Sequence, residues 1–149
     1  MKKIGSLSEF HRERTKDLLR AYFKYLEKCK KVSMPNVFKH VVNMPAERFW
    51  VSSARAAVVV AAIARGDKLN YMRPNKREMF FEIHHRVLSL KKIKPQLSMQ
   101  RLVEEVIAKP APKFYIAPGS ARVLILKARK KYFLDSSLRL KRFSSGSAL

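Results

Sequence analysis

Cysteine is nearly absent: Cys29 is the only one in 149 residues. An intramolecular disulfide and a cysteine-built zinc site are therefore excluded. The neighbours of Cys29 place it on a half-buried helical position. Glycine is scarce too, with four residues, and there is no Gly-rich phosphate loop and no nucleophile elbow. Aspartate occurs only at Asp17, Asp67 and Asp135, scattered along the chain. Long apolar runs are also missing. The longest, Ala56 to Ala64, has nine residues and is too short to span a bilayer as a helix. The basic start, Met1-Lys2-Lys3-Ile4-Gly5, lacks the apolar stretch of a signal peptide. The expectation is a cytoplasmic protein, associated with the nucleoid or with a ribonucleoprotein, and not with a membrane.

What the chain has in excess is positive charge. Lys and Arg number 33 against 11 Asp and Glu, a formal net charge of +22. So much like charge in one small fold opposes compaction unless a polyanion neutralises it. Nucleic acid is the usual polyanion, because each phosphate met by Lys or Arg releases a condensed counterion. The charge is not confined to a tail. Residues 9–66 carry 12 basic and 5 acidic residues, and residues 74–131 carry 14 and 4. Apolar residues make up 47%, enough for a packed core. Plentiful Ala, Leu, Lys, Arg and Met favour helix.

An internal repeat organises the sequence. A shift of 65 residues lays Ser33–Val58 on Ser98–Val123 without a gap. Ser33 meets Ser98, Val41 meets Val106, Pro45-Ala46 meets Pro110-Ala111, and Phe49 meets Phe114. Conservative pairs fill the intervals: Arg48 with Lys113, Trp50 with Tyr115, Val51 with Ile116. Upstream, Arg12-Glu13 meets Arg77-Glu78, and Asp17-Leu18 meets Glu82-Ile83. The reading is all-α, with two tandem three-helix repeats (6–66 and 75–133) sharing one core. A linker at 67–74 joins them and a basic, Ser-rich tail at 134–149 follows.

Each repeat divides by its caps and its period. Ser6-Leu7-Ser8-Glu9 has the form of a capping box, followed by Leu18, Leu19, Tyr22, Phe23, Leu26 and Cys29 at helical spacing. Ser33 caps a second helix with Pro35 in its first turn and Val37, Phe38, Val41 and Val42 on its apolar stripe. Pro45 ends it, Ser52 or Ser53 starts the third helix, and Gly66 stops that helix. In the second repeat Asn75-Lys76-Arg77-Glu78 is the capping-box candidate. Phe80, Ile83, Val87 and Leu90 line the first helix. Ser98 caps the second, with Leu102, Val103, Val106 and Ile107 facing inward. Pro118 opens the third.

The turn shared by the repeats, Pro-Ala-x-basic-Phe-aromatic, carries the most distinctive residues. Trp50 and Tyr115 admit two readings: base-stacking platforms, or covers on the edge of a core plugged by Phe49 and Phe114. Arg48 and Lys113 are candidate phosphate contacts, because a cation stands there in both repeats. Further candidates are Arg122, Lys127, Arg129, Lys130 and Lys131 on the third helix of repeat two. Lys91, Lys92 and Lys94 close its first helix, where lysines also offset the helix dipole. Catalytic and metal sites are not expected. Glu82-Ile83-His84-His85 has the Glu-x-x-His spacing of di-iron bundles, but the aligned Asp17-Leu18-Leu19-Arg20 lacks the histidine. No cofactor is implied.

A capped second helix, a turn and a third helix resemble the helix-turn-helix group, and two such units in tandem resemble paired Myb or homeodomain-like repeats. That resemblance implies a third helix in the major groove of DNA. The turn is also similar to that of small basic proteins of bacterial mobile elements. The third helix of repeat one departs from the pattern: Ala54–Arg65 has no polar face, and a helix apolar all round is buried. It is expected to pack on the other repeat, on a protein partner or on a second copy. Three functions follow: a DNA-binding protein, an accessory subunit binding RNA by charge and shape, or an oligomeric scaffold.

Overall fold

The structure, a computed structural model, describes the backbone of residues 3–28 and 34–131 and the side chains of 10–28 and 36–131. The expectations for Cys29, Ser33, Pro35 and the tail at 134–149 fall outside the residues or side chains described. The fold is all-helical: α1 (Lys3–Lys28), α2 (Met34–Val42), α3 (Ser53–Ala64), α4 (Pro74–Ile93), α5 (Met99–Ile107) and α6, described over 118–131. No helix is long and apolar enough to cross a membrane among these residues.

Local chemistry sets most helix ends. The Ser52 hydroxyl accepts from the backbone N–H of Arg55 at 3.1 Å, and the Ser98 hydroxyl accepts from that of Arg101 at 3.3 Å. Each satisfies one amide that a helix start leaves unpaired. At the end of α3 the Gly66 N–H donates to Ile63 and the Asp67 N–H to Ala62, the paired closure of a Schellman motif. Gly66 holds a φ of +102° there. Two expected caps are corrected. Helix α1 already begins at Lys3, so Ser6 lies inside it. Helix α4 begins at Pro74, with Arg73 as an N-cap that makes no side-chain bond, so Asn75 is not the cap. The proline fixes the first turn by its own φ.

The linker is anchored by an apolar residue. Leu69 is fully buried, at a φ of +56°. The Asp67 carboxylate accepts from the Leu69 N–H at 2.8 Å, an Asx-turn that lets so short a segment reverse.

The buried residues of all six helices form one continuous core. Helix α1 gives Leu18, Ala21 and Tyr22; α2 gives Val37, Phe38, Val41 and Val42. Helix α4 gives Met79, Phe80, Ile83 and Val87, and α5 gives Leu102, Val103, Val106 and Ile107. Helix α3 packs on α4 and α5, while α1 packs on α2. Helix α6 buries Ala121 and Ile125, and its Arg129 donates to the Tyr22 hydroxyl of α1 at 3.4 Å. Helix α3 therefore does pack on the second half of the chain, but it is not buried all round. Ala56, Val59 and Val60 face the core, whereas Val58 is 63% exposed and Ala54, Arg55 and Arg65 are exposed with it.

Hydrogen bonds between the halves come in pairs shifted by 65 residues. Ala46 and Ala111 form an antiparallel bridge, each N–H donating to the other's carbonyl at 3.0 Å. The Phe49 N–H donates to Ile107 at 3.1 Å, and the Phe114 N–H to Val42 at 2.9 Å. These are reciprocal bonds, such as a two-fold axis through the bridge would generate.

Gly66→Ala is expected to destabilise the fold by about 1–2 kcal/mol, because an L side chain is penalised at positive φ although space beside the residue is open. Urea unfolding followed by helical circular dichroism checks this.

Candidate nucleic-acid interface

The shared turns bring the cation–aromatic pairs together, but inside the fold. The Arg48 guanidinium donates to its own neighbours' carbonyls, Phe49 at 3.1 Å and Val51 at 3.1 Å. It lies over the Trp50 ring at 5.3 Å and the Phe10 ring at 5.1 Å. Burial lowers its pKa, with the Glu13 charge acting in the opposite sense. Lys113 pairs with Glu78 at 2.7 Å and lies 5.5 Å from the centre of the Tyr115 ring. Both cations are half-buried and spend their charge on the chain itself. The turn curls so that carbonyls and a carboxylate come within reach, leaving little of either head group for an external phosphate.

The two aromatics are held likewise. The Trp50 Nε1–H donates to Asp17 at 2.9 Å. Tyr115, at a φ of +56°, stacks on Phe49 at 6.0 Å, and the Arg86 guanidinium lies 5.1 Å from the Phe49 ring centre. Phe49 of the first half is thus covered by two residues of the second. Trp50 and Tyr115 are both half-buried against the core. Desolvation pushes the Tyr115 hydroxyl up to about 12, reinforced by Glu82 and Glu78 and opposed by Arg86.

Asp17 is the residue that sequence reasoning passed over. It is 2% exposed. Its Oδ1 accepts from Arg20 Nε at 2.9 Å and from a terminal guanidinium nitrogen at 2.6 Å. Its Oδ2 accepts from the Glu47 N–H at 2.8 Å and from Trp50. Arg20 then donates to the Pro45 carbonyl at 3.2 Å. In the second half Arg86 does the same, bonding Glu82 at 2.8 Å and the Pro110 carbonyl at 3.0 Å. The signal was present in the sequence: Asp17 and Glu82 are acids standing 65 residues apart. They fasten the shared turn to α1 and to α4.

The remaining candidates separate by exposure. On α6, Arg122, Lys127, Lys130 and Lys131 are exposed, while Arg129 is half-buried and bonded to Tyr22. Ala121 and Ile125 mark the inner face; Val123, 65% exposed, marks the outer one. At 100° per residue Lys127 and Lys130 flank Val123 on that outer face, with Arg122 and Lys131 at its margins. No acid occurs between 118 and 131. At the end of α4, Lys91 and Lys92 are exposed, whereas Lys94 pairs with Glu105 at 3.0 Å.

Metal chemistry finds no gathering of ligands: among the described residues no three His, Cys, Asp or Glu side chains come together. Glu82, half of the Glu-x-x-His spacing, is engaged by Arg86. His84 is held below its ordinary pKa by burial and by His85. No protein-family model, curated protein or solved structure matches the chain.

Two outcomes test this arrangement. Asp17→Ala removes the acceptor of Trp50 and of the Glu47 amide and leaves Arg20 with Glu47 and the Pro45 carbonyl; it is expected to cost about 1–3 kcal/mol and to shift the fluorescence of Trp50, the only tryptophan. Equilibrium unfolding and emission spectra measure both. For Tyr115 the folded state favours the protonated phenol, so its stabilisation is present below the unfolded value near 10 and is lost between about 10 and 12. The stability of wild type minus that of Tyr115→Phe is expected to be flat to pH 10 and to fall above it.

Proposed function

We propose that the chain is a non-catalytic nucleic-acid-binding protein, built from a duplicated helical unit and contacting phosphates through α6. One observation carries the reading. The outward surface of α6 presents the exposed Arg122, Lys127, Lys130 and Lys131 on a helix without a single acid. Acids elsewhere neutralise cations locally: Asp17 and Glu47 at Arg20, Glu82 at Arg86, Glu105 at Lys94, Glu78 at Lys113. Other cations are exposed too, Arg12, Lys16, Arg55 and Lys68 among them, but α6 gathers four on one acid-free helix.

The chemistry is counterion release. Each phosphate neutralised by Lys or Arg frees condensed cations, and affinity falls with salt in proportion to their number. Lys91 and Lys92 are further exposed cations, at the end of α4. Arg48 and Lys113 belong to the scaffold in this reading, and Trp50 and Tyr115 to the core edge. Binding of this kind positions a protein on a polyanion without reading its bases. It serves a DNA-binding protein, an accessory subunit of a ribonucleoprotein or a component of a mobile-element complex equally well.

A second reading, an oligomeric scaffold joined through Ala54–Arg65, is favoured by the 63% exposure of Val58 on a helix face otherwise made of alanine and arginine. Sedimentation of the free protein separates it from the first: a monomer over a hundredfold range of concentration removes it.

The deciding titration uses duplex DNA, structured RNA and single-stranded RNA at three salt concentrations. With four phosphates neutralised, the log–log slope is expected to be about −3.5 or steeper on at least one of them. Absence of binding to all three at low salt would overturn the proposal.

A further inference from the structure

We infer that, granted the nucleic-acid reading above, the ligand is a double-stranded nucleic acid gripped by its phosphates, at one place per chain. The argument starts from what the outer face of α6 lacks. Among the described residues, its exposed ones are Pro118, Gly119, Ser120, Arg122, Val123, Lys127, Lys130 and Lys131, with no aromatic among them. Proteins that hold single strands combine a basic groove with aromatic rings on which successive bases stack. The aromatics beside this chain's turn cations are committed elsewhere: Trp50 to Asp17 and Arg48, Tyr115 to Phe49 and Lys113. The large exposed aromatics, Tyr71 at 71% and Phe81 at 38%, lie in the linker and on α4.

A face with cations and no stacking surface must draw its affinity from charge alone, and on charge alone the duplex wins. Its phosphates are denser, about one per 1.7 Å of axis, and each contact releases about 0.9 counterion against about 0.7 for a single strand. The geometry suits it as well. Arg122 to Lys130 spans eight residues, about 12 Å of rigid helix, comparable with the major-groove width of about 12 Å. A stiff row of cations meets a stiff array of phosphates without ordering a flexible strand.

The repeat offers no second place of the same kind. Moving back 65 residues from Arg122, Val123, Lys127, Lys130 and Lys131 gives Ala57, Val58, Ala62, Arg65 and Gly66. The valine stays exposed in both positions, but Ala57 and Ala62 are half-buried where Arg122 and Lys127 are exposed, and only one of four cations remains. The outward face of α3 cannot hold a second duplex in the same way.

The test uses the full chain with labelled duplex DNA, duplex RNA and each single strand of the same sequence. At least tenfold tighter binding of either duplex, at one duplex per chain, is expected; which duplex is preferred identifies the natural source. The triple variant Arg122→Glu, Lys127→Glu, Lys130→Glu is expected to weaken duplex binding at least 30-fold and to flatten the salt slope by about 2.7, three phosphates at about 0.9 each. The triple Arg55→Glu, Arg65→Glu, Lys68→Glu, with the same change of net charge, is expected to weaken it less than fivefold. The milder glutamine triples preserve this order if a glutamate variant loses helical circular dichroism. Tighter binding of single strands, two duplexes per chain, or equal losses in the two triples would overturn the inference while leaving nucleic-acid binding intact. Failure to bind any of these ligands defeats the functional reading itself, and this inference with it.

Discussion

The peptide groups of Ala46 and Ala111 exchange both their hydrogen bonds at 3.0 Å, and the arrangement of the helices depends on that exchange. Both residues are 2% exposed. A buried peptide left unpaired costs about 1–3 kcal/mol, so each turn needs the other to satisfy it. The two further bonds, from Phe49 to Ile107 and from Phe114 to Val42, tie each turn to the end of the second helix in the opposite half. The turns then send α3 away from α1 and α2, onto α4 and α5. The single core is a consequence: residues from both sides of the bridge are buried in one cluster, and neither turn is satisfied by its own half alone.

Around this joint the few acids are placed with economy. Asp17 and Glu82 each hold an arginine that reaches the carbonyl of a turn proline, Pro45 or Pro110. The Asp17 pair is buried on its acidic side, where only near-complete hydrogen bonding offsets the loss of hydration. Four donors supply it. The Glu78–Lys113 and Glu105–Lys94 pairs are more exposed and contribute little to stability, since exposed pairs are worth about 0–1 kcal/mol. Their effect is to silence cations. Many exposed cations stay unneutralised, among them Arg12, Lys16, Arg55 and Lys109; α6 differs in carrying four of them on an acid-free helix.

The helices themselves were legible because their signals are local. Ser52, Ser98, Gly66 and Pro118 act within one turn of chain, and the apolar stripes of α2 and α5 repeat at helical spacing. The helix starts at Ser6 and Asn75 were misplaced because a capping-box pattern says nothing of helix that precedes it. The side-chain partners were not legible, for a physical reason. Arg48 beside Trp50 reads alike whether the guanidinium points to solvent or back to the carbonyls of Phe49 and Val51; the curl of the turn decides, and distant residues set that curl. Asp17 meets two of its donors 30 and 33 residues away, at Glu47 and Trp50. Only the repetition of an acid 65 residues later, at Glu82, hinted that the position mattered.

The same repetition shows where the halves have parted. Inside, equivalent positions keep their chemistry: alanine at the bridge, phenylalanine in the core, a cation over an aromatic ring, an acid beneath the turn. Outside, α3 carries alanine where α6 carries lysine, at Ala62 and Lys127. Packing does not fully explain the difference: Ala62 is half-buried where Lys127 is exposed, yet Val58 and Val123 beside them are both open to solvent. Nor does charge balance, which would favour fewer cations on a chain already at +22. Self-repulsion on α6 is tolerated without one acid to relieve it. That row of cations is what distinguishes the second half of this fold from the first.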